Sequence, residues 1–133
     1  MIVADTNLIA YLAMPSPYTE AAERLLMRDP EWVAPVLWRS EFRNVLALYL
    51  RKRLIRFEQA LEIQAEMESL FQGREYEVAS LDVLSLVSQS ECSAYDCEFV
   101  ALARGLGVPL VTMDRELAAC FPDTATLLTD LEP

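Results

Sequence analysis

Short apolar runs of strand length alternate along this chain with stretches of helical periodicity, and that alternation constrains the fold more than any other feature. Met1–Ala4 is the first such run, and Trp32–Ala34, Glu75–Ala79, Val108–Thr112 and Thr126–Leu128 follow it. Helices are predicted from Thr6 or Asn7 to Ala13, from Ser16 or Pro17 to Arg28, and from Pro35 to Arg53. Others are predicted from Phe57 to Phe71, Ser80 to Gln89, Ser93 to Arg104 and Asp114 to Cys120. The boundaries carry their own chemistry. Thr6, Asn7, Ser80 and Asp82 are capping residues, Pro35 suits a helix's first turn, and Gly105-Leu106-Gly107 reads as a helix stop. Strands separated by helices predict a parallel sheet covered on both faces. The two long helices follow each other closely enough to form an antiparallel hairpin, ended by Gly73. One α/β domain over residues 1–133 is expected, large enough for a core without staples.

Composition removes several chemistries. The chain has no histidine and three cysteines (Cys92, Cys97, Cys120) without a C-x-x-C pair. Zinc sites of the Cys/His kind and Ser-His or Cys-His catalysis are therefore excluded, and the cysteines read as buried free thiols. Three glycines cannot spell a P-loop or G-x-G-x-x-G. No apolar run reaches the ~18–20 residues of a membrane span, and no basic stretch precedes the opening run, so a cytoplasmic protein without a signal peptide is expected. The net charge of −10 argues against a phosphate-rich partner. Six of the eleven basic residues nevertheless lie between Arg39 and Arg56, as a solvated helix face or as a basic rim.

What remains are carboxylates, four of which the fold alone does not explain. Asp5 and Asp114 each follow a predicted strand, placing both at the carboxyl edge of a parallel sheet, where such folds put their ligand crevice. Each is also a good helix cap. Glu41 shares its helical face with Leu37, Val45 and Leu48, so it is either paired with an arginine or part of a site. Asp96 stands three residues after Ser93, at capping-box spacing, yet shares a face with Phe99, Val100 and Ala103. Glu98 is read as surface, as is the i,i+4 row Glu58, Glu62 and Glu66. Four converging carboxylates would repel by about 4 kcal/mol per pair at ~4 Å and an effective dielectric of ~20. Raised pKa values or a bound cation would relieve this, and oxygen ligands alone select Mg²⁺ or Mn²⁺. Such ions commonly act on phosphate esters.

Ile2-Val-Ala-Asp-Thr-Asn7, Arg39-Ser-Glu41, Tyr95-Asp96-Cys-Glu-Phe-Val-Ala-Leu-Ala103 and Leu110-Val-Thr-Met-Asp114 occur in the order that resembles the PIN-domain ribonucleases, most closely the VapC-type toxins of bacterial toxin–antitoxin modules. The resemblance implies a PIN-like three-layer α/β/α fold, with a central parallel sheet of four to five short strands and a protruding helical hairpin. It implies a metal-dependent endoribonuclease in which Asp5 and Asp96 are the most direct Mg²⁺ or Mn²⁺ ligands, completed by Glu41 and Asp114. Asn7 and Thr112 match positions that support the pocket, and Arg39 and Arg43 would contact substrate. RNA, a cognate antitoxin and a second copy of the chain are the implied partners. A non-catalytic metal-binding or protein-interaction module on the same fold is the alternative. A phosphotransfer receiver fits poorly, since Ala4-Asp5-Thr6 lacks adjacent acids and the sole lysine, Lys52, lies on the wrong element. Asp5-Thr-Asn7 likewise lacks the D-x-D of haloacid-dehalogenase-like phosphatases.

Overall fold

In the computed structural model, which describes residues 1–131, the apolar runs form five strands. These are β1 (Ile2–Ala4), β2 (Trp32–Pro35), β3 (Glu75–Tyr76), β4 (Leu110–Thr112) and β5 (Ala125–Leu127). They pair in parallel in the order β3-β2-β1-β4-β5. Register sets Val3 between Val33 and Leu110. The three central strands are buried along their whole length, which is why they read as continuous apolar runs rather than as alternation.

Seven helices connect them: α1 (Thr6–Ala13), α2 (Thr19–Arg28), α3 (Trp38–Arg51), α4 (Phe57–Leu70), α5 (Ser80–Ser88), α6 (Ala94–Leu106) and α7 (Arg115–Cys120). The chain first travels from β1 out to β3, then back across to β4 and β5. Right-handed crossovers consequently put α1–α4 on one face and α5–α7 on the other, giving the expected three layers. Helix α6 lies across β1, β2 and β4. The α3–α4 hairpin is held at its base by Trp38 against Phe71, ring centroids 5.0 Å apart. Its far end exposes Leu54 and Phe57. Glu58, Glu62 and Glu66 face solvent on α4, as read.

Several boundaries differ from the sequence reading for local reasons. Pro35 closes β2 rather than opening α3, which starts at Trp38 without a side-chain cap. Ala34 and Val36 donate their N–H groups toward β3, so position 35 faces β1, whose chain has by then turned into α1. No ladder bond is lost to the missing N–H there. Helix α3 stops at Arg51, with Lys52 as its cap and Arg53 in left-handed backbone at φ 58°. Helix α2 begins at Thr19, after a turn in which the Thr19 hydroxyl bonds the Tyr11 and Met14 carbonyls. Strand β3 is only two residues long, and α5 is capped at Ala79 without help from Ser80 or Asp82. Helix α6 runs through Gly105 to Leu106, and Gly107, at φ 68°, ends it. The Val108 N–H then closes onto the Ala103 carbonyl, so β4 begins only at Leu110. Strand β5 begins one residue early, at Ala125.

Candidate active site

The sheet order makes β1 and β4 the neighbours at which chain direction reverses, and the crevice of such a fold opens at their carboxyl ends. Asp5 is the residue after β1 and the N-cap of α1; Asp114 lies two beyond Thr112 and caps α7. The first turns of α3 and α6 contribute Glu41 and Asp96. All four line one open pocket of about 630 Å³, together with Thr6 and Asn7.

Hydroxyl and amide groups fix the acids in place. Asp5 is buried, and its Oδ1 accepts the Thr6 N–H at 2.8 Å while its Oδ2 accepts the Thr112 hydroxyl at 2.7 Å. Thr112 Oγ1 in turn accepts the Asp114 N–H at 2.9 Å and Asn7 Nδ2 at 3.3 Å. Asn7 Oδ1 accepts the Met113 N–H at 3.2 Å. Thr112 thus ties both strand-end acids to one hydroxyl, and Asn7 braces the loop between them. On the other wall the Thr6 hydroxyl donates to Glu41 Oε1 at 2.6 Å.

The capping roles divide these acids. Asp114 is a working cap whose Oδ1 accepts the Glu116 and Leu117 N–H groups. Asp5 instead spends one oxygen on its neighbour and the other across the sheet. At Asp96, the Ser93 hydroxyl accepts the Asp96 N–H at 3.1 Å. Among the described residues the reciprocal half of a capping box is not made, which leaves the Asp96 carboxylate to the pocket.

Electrostatics follow from this crowding. Burial pushes Asp5 up to about 6, with the charges of Glu41 and Asp96 adding to it and the bonds from Thr112 and Thr6 opposing it. Glu41 is raised first by burial and then by Asp96 and Glu98, against the Thr6 hydroxyl. Asp96 is raised by burial and by Asp114 and Glu116, with Ser93 opposing. Carboxylates held above their usual range by burial and by one another, in an open cleft, make this a candidate functional site.

A family model for the PIN domain matches residues 2–120. The chain belongs to the PIN-domain family. It is 31% identical over 128 residues to Ribonuclease VapC3 from Pyrobaculum aerophilum, a match covering 94% of this chain and 98% of that protein. FitAcB from Neisseria gonorrhoeae shares the fold with a TM-score of 0.77 at 21% identity, over 98% of this chain and 100% of that one. So does VapC20 from Mycobacterium tuberculosis, a sarcin-ricin loop cleaving toxin, with a TM-score of 0.67 at 17% identity over 90% and 94%.

The donor set of this PIN-domain pocket suits a hard cation. It offers carboxylate, hydroxyl and amide oxygens, with neither sulfur nor imidazole among its lining groups. Among the described residues no three acidic or sulfur-bearing side chains close into a ready-made cage.

Other predicted residues lie elsewhere. The Arg39 guanidinium is engaged by Glu75, at 2.6 and 2.7 Å, and by Glu68 at 3.1 Å, so it turns away from the pocket. Arg43 is exposed on α3 outside the lining. Glu98, read as surface, is half-buried and close enough to raise Glu41. Leu37 and Val45 flank Glu41 as pocket walls, whereas the core stripe of α3 is Trp38, Phe42 and Leu46, and Leu48 is exposed. Ser40, Asn44 and Tyr95 complete the lining and were not singled out from sequence. The i−1 spacing of Ser40 to Glu41 and of Tyr95 to Asp96 is the signal that could have found two of them.

Proposed function

We propose that residues 1–133 form one PIN-like nuclease domain that acts as an endoribonuclease toxin of the VapC type, hydrolysing RNA phosphodiester bonds. The observation that carries this reading is the convergence of Asp5, Glu41, Asp96 and Asp114 on one open pocket at the sheet's switch point. The relationship to Ribonuclease VapC3 supports RNA as the substrate class. Asp5 and Asp96 would hold Mg²⁺ or Mn²⁺ most directly, with Glu41 and Asp114 completing the site. When bound, such an ion polarises the phosphoryl oxygen and lowers the pKa of its water.

The chain's own groups prepare that chemistry. Thr112 orients Asp5 and, through the Asp114 N–H, the loop that carries Asp114. Thr6 orients Glu41 across the pocket. Asp5, pushed up to about 6, keeps its proton in mildly acidic solution, so cation uptake and proton release are linked. Arg43 is the basic residue assigned to substrate contact. A cognate antitoxin and a second copy of the chain complete the proposal as cytoplasmic partners, supported by the exposed apolar residues Leu54, Phe57 and Leu61. No helix among the described residues is long and apolar enough to cross a membrane.

Asp96→Asn keeps the shape of the residue and removes its charge. RNA turnover should fall at least about a hundredfold, while the circular dichroism spectrum stays that of the wild type. Unchanged turnover in this variant sinks the site assignment. Cation-dependent stabilisation of the wild type without RNA cleavage would point instead to the non-catalytic module.

A further inference from the structure

Tyr95 stands out at the rim of the acidic pocket. It is the most exposed of the five tyrosines, at 64% relative exposure, and lies in the first turn of α6 beside Asp96. Among the described residues it makes no hydrogen bond and no ring contact, whereas Tyr11 and Tyr18 pack on each other. An aromatic ring left in water contributes nothing to the core. Across the pocket, Leu37 and Val45 of α3 form an apolar wall.

Charge makes this ring more informative. The pocket carries four acids and no basic residue in its lining, and the Arg39 guanidinium is taken by Glu75 and Glu68. A nucleic acid docking here meets no cationic side chain in the lining itself. The proposed cation and Arg43 can answer the phosphate, and the sequence-tolerant contact left for a base is stacking on an aromatic face. Tyr95 and Asp96 line the same pocket, so a base held on Tyr95 belongs to a nucleotide close to the phosphate presented to Asp96.

We infer that Tyr95 is a substrate-positioning residue, a platform on which an unpaired base stacks beside the scissile phosphate. This rests on the ribonuclease reading of the same pocket. It makes the substrate single-stranded at the cut, since a base within a duplex cannot leave its own stack at no cost.

The test uses the full chain with Mg²⁺ or Mn²⁺ on a random-sequence single-stranded RNA pool, from which the cleaved sequence is recovered and resynthesised. Tyr95→Ala should raise KM by roughly 5- to 150-fold, as expected for one lost stacking contact, with kcat and thermal midpoint unchanged. Tyr95→Phe and Tyr95→Trp should restore KM, because the face and not the hydroxyl does the work. An abasic nucleotide next to the cut should weaken the wild type and leave Tyr95→Ala unaffected. A 2-aminopurine placed there should be quenched on binding Asp96→Asn but not the Tyr95→Ala, Asp96→Asn double variant. If the wild type cleaves and Tyr95→Ala matches it in KM, or changes only the oligomeric state, the platform is refuted and the ribonuclease reading survives. A wild type that cleaves no RNA overturns both.

Discussion

Glu41 and Glu75 are both withdrawn from solvent within reach of helix α3, yet their surroundings drive them in opposite directions. Glu75 receives two bonds from Arg39 and a third, at 2.8 Å, from the indole of Trp38. Those bonds hold its carboxyl below the usual range despite burial. Glu41, two residues along from Arg39, receives one neutral hydroxyl and faces Asp96 and Glu98, and its carboxyl is held above that range. Burial costs both groups. What separates them is whether the fold supplies a counter-charge, and the α3 turn that carries Arg39 gives its cation to β3 and leaves the pocket without one. A carboxylate left unpaired in this way lowers stability in exchange for a site.

The contrast breaks most visibly at Asp5. An acid whose pKa is higher folded than unfolded binds protons more tightly in the native state, so stability falls as pH rises between the two values. For Asp5 the window runs from near 3.8 to about 6, and such a gap is worth about 3 kcal/mol above it. Asp5→Asn keeps the cap and removes the charge. It should stabilise the chelator-treated protein by about 2–3 kcal/mol at pH 7, with the gain vanishing toward pH 4, while abolishing cleavage. Urea titrations at the two pH values check this. A variant no more stable than wild type at pH 7 would show that Asp5 is satisfied as a structural acid.

Arg39→Met sharpens the other side. It leaves Glu75 partly buried without its cation and should cost about 2 kcal/mol, discounted for the partial exposure of the pair. The sign with pH is reversed here. Glu75 is depressed, so its contribution is present at neutral pH and lost as pH falls below the ordinary carboxylate range. Arg39→Met should therefore flatten the acid limb of the stability curve, leaving kcat unchanged. Loss of kcat in a folded Arg39→Met protein would return this arginine to the site.

The smallest effect belongs to Glu98→Gln. Removing that charge lets Glu41 ionise more readily, so the acidic limb of the pH–rate profile should move to lower pH by less than about one unit. An unmoved limb would place Glu98 outside the pocket's field.

The four acids were legible one by one, though not always for the right reason. Asp5 and Asp114 follow from counting residues past each strand. Glu41 was found through its apolar neighbours at i−4 and i+4, but these line the pocket beside it, while Trp38, Phe42 and Leu46 face the core. Periodicity defines a face without saying what stands opposite. Arg39 was misjudged because its partner Glu75 is 36 residues away on a strand two residues long, too short to announce itself. Pro35 looked like a helix opener because its value as a strand end depends on where the neighbouring strand stops.

By itself the sequence determined what depends on near neighbours: the alternation of strands and helices, the capping of α6 by Ser93, the stop at Gly107, and the placing of Asp5 and Asp114 past strand ends. Such features are set by hydrogen bonds and periodicities spanning a few residues. Only the tertiary structure decided that β4 returns beside β1, so that the Thr112 hydroxyl meets a carboxylate 107 residues earlier in the chain. It likewise decided that the cation of α3 would be taken by β3 and that Tyr95 would stand unpartnered at the rim. Contacts of that separation are made by burying whole faces of the sheet, and no local pattern records which polar groups those faces bring together.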